Sequence, residues 1–118
     1  MKNKSRNNLK EYISLSDKTS KKQNKEYYLF GTILTYVKDD FLVDLDLDSV
    51  LRRVEKLVPR TLIDNNLDAI YIGEFESLLA KGEHTALYSD GAIYVSNDQA
   101  DEQDVFRDLI HEIAHAIE

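Results

Sequence analysis

The sequence predicts an α+β fold: a small mixed sheet with a hairpin packed on a long final helix, and one or two further helices. Three observations carry this. Short apolar, β-branched runs at 67–73, 85–88 and 92–96 are bounded by Asp, Gly and Ser, as half-buried strands are. Two stretches, 48–58 and 101–118, instead repeat their apolar residues at helical spacing. A chain of 118 residues, 42% hydrophobic and 31% charged, suits one globular domain with its own core.

The first 26 residues stand apart. They carry 8 Lys and Arg against 3 Asp and Glu, whereas residues 27–118 carry 7 against 19. Few apolar residues and a basic excess predict a solvated, poorly ordered tail at 1–26, with the packed domain at 27–118. The acidic body repels phosphates, which argues against a nucleic-acid surface there. No apolar run reaches the roughly 18 residues of a membrane span, and no signal-peptide core follows the N-terminus. The default expectation is therefore an intracellular chain without a membrane partner. With no Cys, a thiol nucleophile and thiolate ligands are excluded.

Along the body, Tyr28–Val37 is apolar, aromatic and β-branched. Phe30, Ile33, Leu34 and Val37 also fit helical spacing, so this run reads as helix or strand, with a lean to helix. Asp46 or Asp48 can cap a helix through Val50, Leu51, Val54 and Leu57, and Pro59 sets its end near Val58. Leu67–Gly73 reads as a buried strand, and Phe75–Ala80 as a helical turn. Thr85–Tyr88 and Ala92–Ser96 are strands joined by Ser89-Asp90-Gly91, a three-residue connection with a left-handed Gly.

The last helix starts near Asp101. Asp104, three residues on, completes a capping-box pattern with Asp in place of Glu. Phe106, Ile110, Ile113 and Ile117 recur at helical steps and predict the core face. Asp104, Asp108, His111, His115 and Glu118 recur on another side. Ile113 and Ala114 are expected to face away from the His pair, with the small Ala114 allowing close packing.

Within this helix the chain reads His111-Glu112-Ile113-Ala114-His115, or HExxH. With 3 His in the chain, a shuffled sequence shows this pattern with a probability of roughly half a percent. Four residues of separation place both imidazoles on one helix face, about one turn apart, so that two nitrogens can reach one Zn²⁺. The adjacent Glu can handle a proton.

On these residues, HEIAHAIE with ALYSDGAIYVSN before it, the chain resembles the zincin metallopeptidases. It looks most like the gluzincin branch, including lethal-factor-like peptidase domains, over roughly residues 48–118. The resemblance implies that His111 and His115 ligate zinc through neutral imidazole nitrogens. It implies that Glu112 is the catalytic general base, passing its proton on to the leaving amine. It further implies that an edge strand, here Thr85, Ala86, Leu87 and Tyr88, binds an extended peptide or protein substrate by strand addition.

The sequence departs from the family at one point. A catalytic zinc site takes three protein ligands, and in gluzincins the third is a Glu on a later helix. Only three residues follow His115, so the expectation is a zincin-like domain lacking its C-terminal half, with little or no activity as given. Glu118 shares the helix face but lies roughly 10 Å along the axis from His111, too far for one straight helix to bring all three to one ion. Its expected place is beside His115 or in solvent, and His84 reads as a surface-loop residue. The function expected is zinc-dependent peptide-bond hydrolysis. The alternative is a non-catalytic binding or assembly protein on a degenerate zincin scaffold.

Overall fold

The computed structural model describes residues 25–80 and 85–118. The predicted tail, up to residue 24, and His84 lie outside the described residues. Among these residues, five strands and four helices follow in order. They are β1 (Glu26–Leu29), β2 (Ile33–Val37), α1 (Leu47–Leu57), α2 (Arg60–Ile63), β3 (Ala69–Gly73), α3 (Glu76–Ala80), β4 (Ala86–Ser89), β5 (Ala92–Ser96) and α4 (Glu102–Ile117).

The strands form one mixed sheet in the order β1-β2-β3-β5-β4. The three central strands, β2, β3 and β5, run parallel, and each outer strand pairs antiparallel with its hairpin partner. α1 and α4 pack on each other; α1 touches β1, and α4 lies over β4 and β5. Between them and the sheet sits the core, where Leu29, Ile70, Ile72, Ile93 and Val95 meet Val50, Leu51, Val54, Val105, Leu109 and Ile113. Register places Tyr36, Tyr71 and Tyr94 in one row across the opposite face, each at least partly exposed. The rings of Tyr71 and Tyr94 stack at 5.6 Å.

The lean to helix over Tyr28–Val37 is corrected: this run is a hairpin. Alternation decides it, because Ile33, Thr35 and Val37 are buried while Tyr36 between them is exposed. The chain reverses at Phe30 and Gly31, both at positive φ (54° and 72°), and Thr32 N–H donates to Leu29 C=O at 3.2 Å. A left-handed Phe is strained. Glu55 of α1 supports it by accepting from the Phe30 N–H at 2.6 Å.

α1 starts where its cap predicts. Asp46 accepts from the Ser49 N–H at 3.1 Å, and Val58 closes the helix before Pro59. Pro59 then leads into α2, a single turn that the sequence reading did not anticipate. The second hairpin is tighter than expected. Ser89 pairs directly with Ala92, leaving only Asp90 and Gly91 as the loop, at φ 50° and 85°. Both central residues are left-handed, the pattern of a type I′ turn. A Cβ at Gly91 would also meet Asp68 Oδ2 at 2.6 Å, so this position admits no side chain without a shift. The strand before the turn is displaced by one residue: Thr85 precedes β4, and Ser89 belongs to it.

α4 begins at the predicted cap, with Asp101 accepting from the Asp104 N–H at 3.0 Å. The return bond is offset, since Asp104 Oδ2 accepts from Ala100 rather than from Asp101. The predicted core face is corrected by about one residue of rotation. Val105, Leu109, Glu112, Ile113 and Ala116 are buried, so Ile113 alone survives from the expected stripe. Phe106 and Ile110 pack at its margin, Ile117 is exposed, and so is Ala114; Ala116 is the small residue at the contact. The true face contains a carboxylate, which is why apolar periodicity passed over it.

Candidate metal centre and cleft

α4 presents two adjacent faces to the site. His111 and His115 lie on its exposed side, and Glu112, turned roughly 100° from His111 about the axis, is buried against the sheet at 8% exposure. The two imidazoles stand edge to face with centroids 4.7 Å apart, and their Nε2 atoms are 3.2 Å apart. A ligand atom from each of His111, Glu112 and His115 lies within 4.8 Å of the others, so these residues form a group able to hold a metal ion. Among the described residues no further His, Asp or Glu joins this group.

The nitrogen pair fits a shared ion. Zn–N bonds of about 2.0–2.1 Å at a tetrahedral angle require the two nitrogens to be roughly 3.3–3.4 Å apart. The helix holds them at nearly that spacing. At this distance one imidazole can donate to the other, the tautomers deciding which. Behind His115, on the far edge of its ring, Nδ1 faces the Glu118 carboxylate at 3.6 Å. That is beyond a good hydrogen bond, and the Glu118 side chain is largely exposed, so the pair is a loose surface contact.

Glu112 is held by the sheet edge. Its Oε1 accepts from the main-chain N–H of Tyr88 at 3.0 Å. The strand is anchored in turn by Tyr88 Oη, which donates to the Asn66 C=O at 2.9 Å. Ser96 N–H donates to Thr85 C=O at 2.8 Å, which sets the alternation of β4. Thr85, Leu87 and Ser89 turn their main-chain groups toward β5, while Ala86 and Tyr88 turn theirs outward. Of the outward groups, the Tyr88 N–H is already engaged by Glu112. A peptide added to this edge would pair with the N–H and C=O of Ala86 and the C=O of Tyr88.

All four predicted substrate-binding residues, Thr85, Ala86, Leu87 and Tyr88, line a cavity of about 460 Å³ together with Asp108, His111, Glu112 and His115. Sequence reasoning put Asp108 on the polar face of the helix but gave it no role. Its signal was its position, one turn before His111 on the same side. Asp108 Oδ2 accepts from Gln99 Nε2 at 3.0 Å, and the same nitrogen donates to the Ser96 C=O at 3.0 Å. Gln99 is itself buried, at 6% exposure.

A second cavity of about 460 Å³ lies between β2 and α1, lined by Tyr27, Phe41 and Leu47 with Asp40 and Asp44. Burial pushes the Tyr27 phenol above its ordinary pKa, and the charges of Asp46, Asp48 and Asp40 add to the shift. Among the described residues, neither an imidazole nor a cation lines this cavity. Among the described residues no helix is long and apolar enough to cross a membrane. No family model matches the chain, and no curated protein or solved structure matches it either.

Proposed function

We propose that the chain carries the zinc-binding half of a zincin-like metallopeptidase centre and that its chemistry is zinc-dependent hydrolysis of peptide bonds. The observation that carries this reading is the His111–His115 nitrogen pair, 3.2 Å apart on an exposed helix face, with the Glu112 carboxylate beside it under an edge strand. The donors, two imidazoles with no thiol and a carboxylate beside them, suit zinc. When bound, zinc supplies a Lewis acid and makes a water acidic near neutral pH.

The residues of the chain divide the remaining work. His111 and His115 hold the ion through Nε2. Glu112 has one oxygen fixed by the Tyr88 N–H, which leaves the other to take a proton and later return it to the leaving amine. The outward main-chain groups of Ala86 and Tyr88 align an extended peptide across the cleft, with Thr85 and Leu87 at its border. A catalytic ion also needs a third protein ligand.

Calorimetry with zinc on metal-free protein, together with cleavage of unstructured peptides, tests the reading. One zinc site is expected, lost in His111→Ala and in His115→Ala. Any zinc-dependent cleavage should disappear in Glu112→Gln while zinc uptake remains. Unchanged zinc uptake in both His variants would sink the metal centre. Cleavage that persists in Glu112→Gln would remove Glu112 from the chemistry.

A further inference from the structure

We propose that Asp108 sets the substrate preference of this cleft by selecting peptides that carry a Lys or Arg side chain beside the segment docked on β4. The proposal rests on reading the cavity as a peptide-binding one and adds to that reading the class of peptide it takes.

Asp108 shares the cavity with the His pair and the edge strand, and among the described residues no Lys or Arg lines it. One carboxylate oxygen is fixed by Gln99. That amide is almost fully buried and is pinned in turn to the end of β5 through the Ser96 C=O. The other oxygen, Oδ1, accepts no hydrogen bond among the described residues. Among the described residues Asp108 is therefore an oriented charge with a vacant acceptor, and little side-chain freedom remains to be lost on binding. Glu112, the other acid in the lining, already has an oxygen committed to Tyr88. Cationic peptides also approach favourably, because residues 27–118 carry 7 Lys and Arg against 19 Asp and Glu.

A half-exposed charge pair is worth up to about 1 kcal/mol, or roughly fivefold in affinity. The test uses the 118-residue chain, with and without zinc. Its probes are three fluorescein-labelled, Ala-rich peptides that differ at one position as Lys, Gln or Glu. Anisotropy at low salt should show the Lys peptide binding about fivefold more tightly than the Gln peptide, and the Glu peptide more weakly than both. The preference should shrink at about 0.5 M salt, where the screening length falls to a few ångströms. In Asp108→Asn, which still accepts from Gln99, the three peptides should bind alike while zinc affinity stays unchanged.

Equal binding of the Lys and Gln peptides to the unmodified chain would overturn the proposal. So would a preference that survives Asp108→Asn, or a failure of all three peptides to bind at millimolar concentration. Parallel loss of zinc affinity in Asp108→Asn would also overturn it, by making Asp108 a support for His111 instead. A Lys preference that depends on Asp108, in a chain that neither binds zinc nor cleaves peptide, would uphold the proposal and sink the peptidase reading alone.

Discussion

The carboxylate of Glu112 accepts a hydrogen bond from the main-chain N–H of Tyr88 at 3.0 Å, so the acid beside the imidazole pair is also the brace of the sheet edge above it. Replacement by Gln keeps an acceptor at this point and should change stability by less than about 0.5 kcal/mol. Glu112→Ala leaves a partly buried N–H without a partner and should cost about 1–3 kcal/mol. Urea unfolding of the two variants separates the roles. Equal loss in both would mean that the hydrogen bond to Tyr88 contributes nothing.

Zinc that binds only the folded chain stabilises it by linkage. At about 100 times the dissociation constant the gain is about 2.7 kcal/mol, enough to raise the melting temperature by several degrees. Thermal scans with zinc and with chelator should differ by that amount for the unmodified chain. They should coincide for His111→Ala and for His115→Ala.

Acid sensitivity has a local source at Asp39. Its carboxyl titrates below the ordinary carboxylate range, first because the Glu74 N–H donates to it at 2.9 Å and then because Lys38 Nζ donates at 2.7 Å. A pKa that is lower in the folded state means stability that is complete above the unfolded value, about 3.9, and lost as pH falls through the folded value. Asp39→Asn should therefore be slightly less stable at pH 7. The difference should close as pH falls below about 4. Denaturation midpoints between neutral pH and pH 2.5 check this, and a gap that widens in acid would contradict it.

Thr35 is fully buried on the helix-facing side of β2, and its hydroxyl finds no partner among the described residues. Val has the same shape without the orphaned group, and it favours strands. Thr35→Val should leave the fold intact and raise stability by up to about 1 kcal/mol. A loss of that size would show that the hydroxyl has a partner.

The helix caps offer a simpler check. Asp46 and Asp101 each accept from a first-turn N–H, at 3.1 and 3.0 Å, and Asp46 N–H also donates to Glu102 at 2.8 Å, tying the two helix starts together. Asp46→Ala and Asp101→Ala should each cost about 1 kcal/mol. The bond from the Asp46 N–H to Glu102 is made by the main chain and should survive both substitutions.

Local chemistry was the legible part of this sequence. The Asp caps, Pro59, the Gly91 turn signal and the β-branched runs placed α1, β3, β5 and the start of α4, though the turn is one residue shorter than read, and the HExxH spacing placed both imidazoles on one exposed face. Tertiary compensation was not legible. Tyr28–Val37 satisfies two periods at once, and the alternating burial that marks it as strand comes with its pairing to β3 and the support that Glu55 gives the Phe30 turn. The buried stripe of α4 includes Glu112, a carboxylate that no apolar count admits. It is admitted because an edge-strand amide waits for it. Asp108 gained meaning only when Gln99, nine residues earlier, was found folded against it.

The row formed by Tyr36, Tyr71 and Tyr94 has a practical consequence. The chain has 7 Tyr and no Trp, so its near-ultraviolet emission comes from phenols alone. The stacked rings of that row lie across the sheet from α4, on the face opposite the imidazole pair, whereas Tyr88 sits at the cleft. Loss of the row's packing reports melting of the sheet, and Tyr88, in the lining of the cleft, is the phenol expected to respond to an ion bound there under the proposed function. Under that reading, replacing Tyr88 with Phe should leave an optical signal that follows unfolding and responds less to zinc.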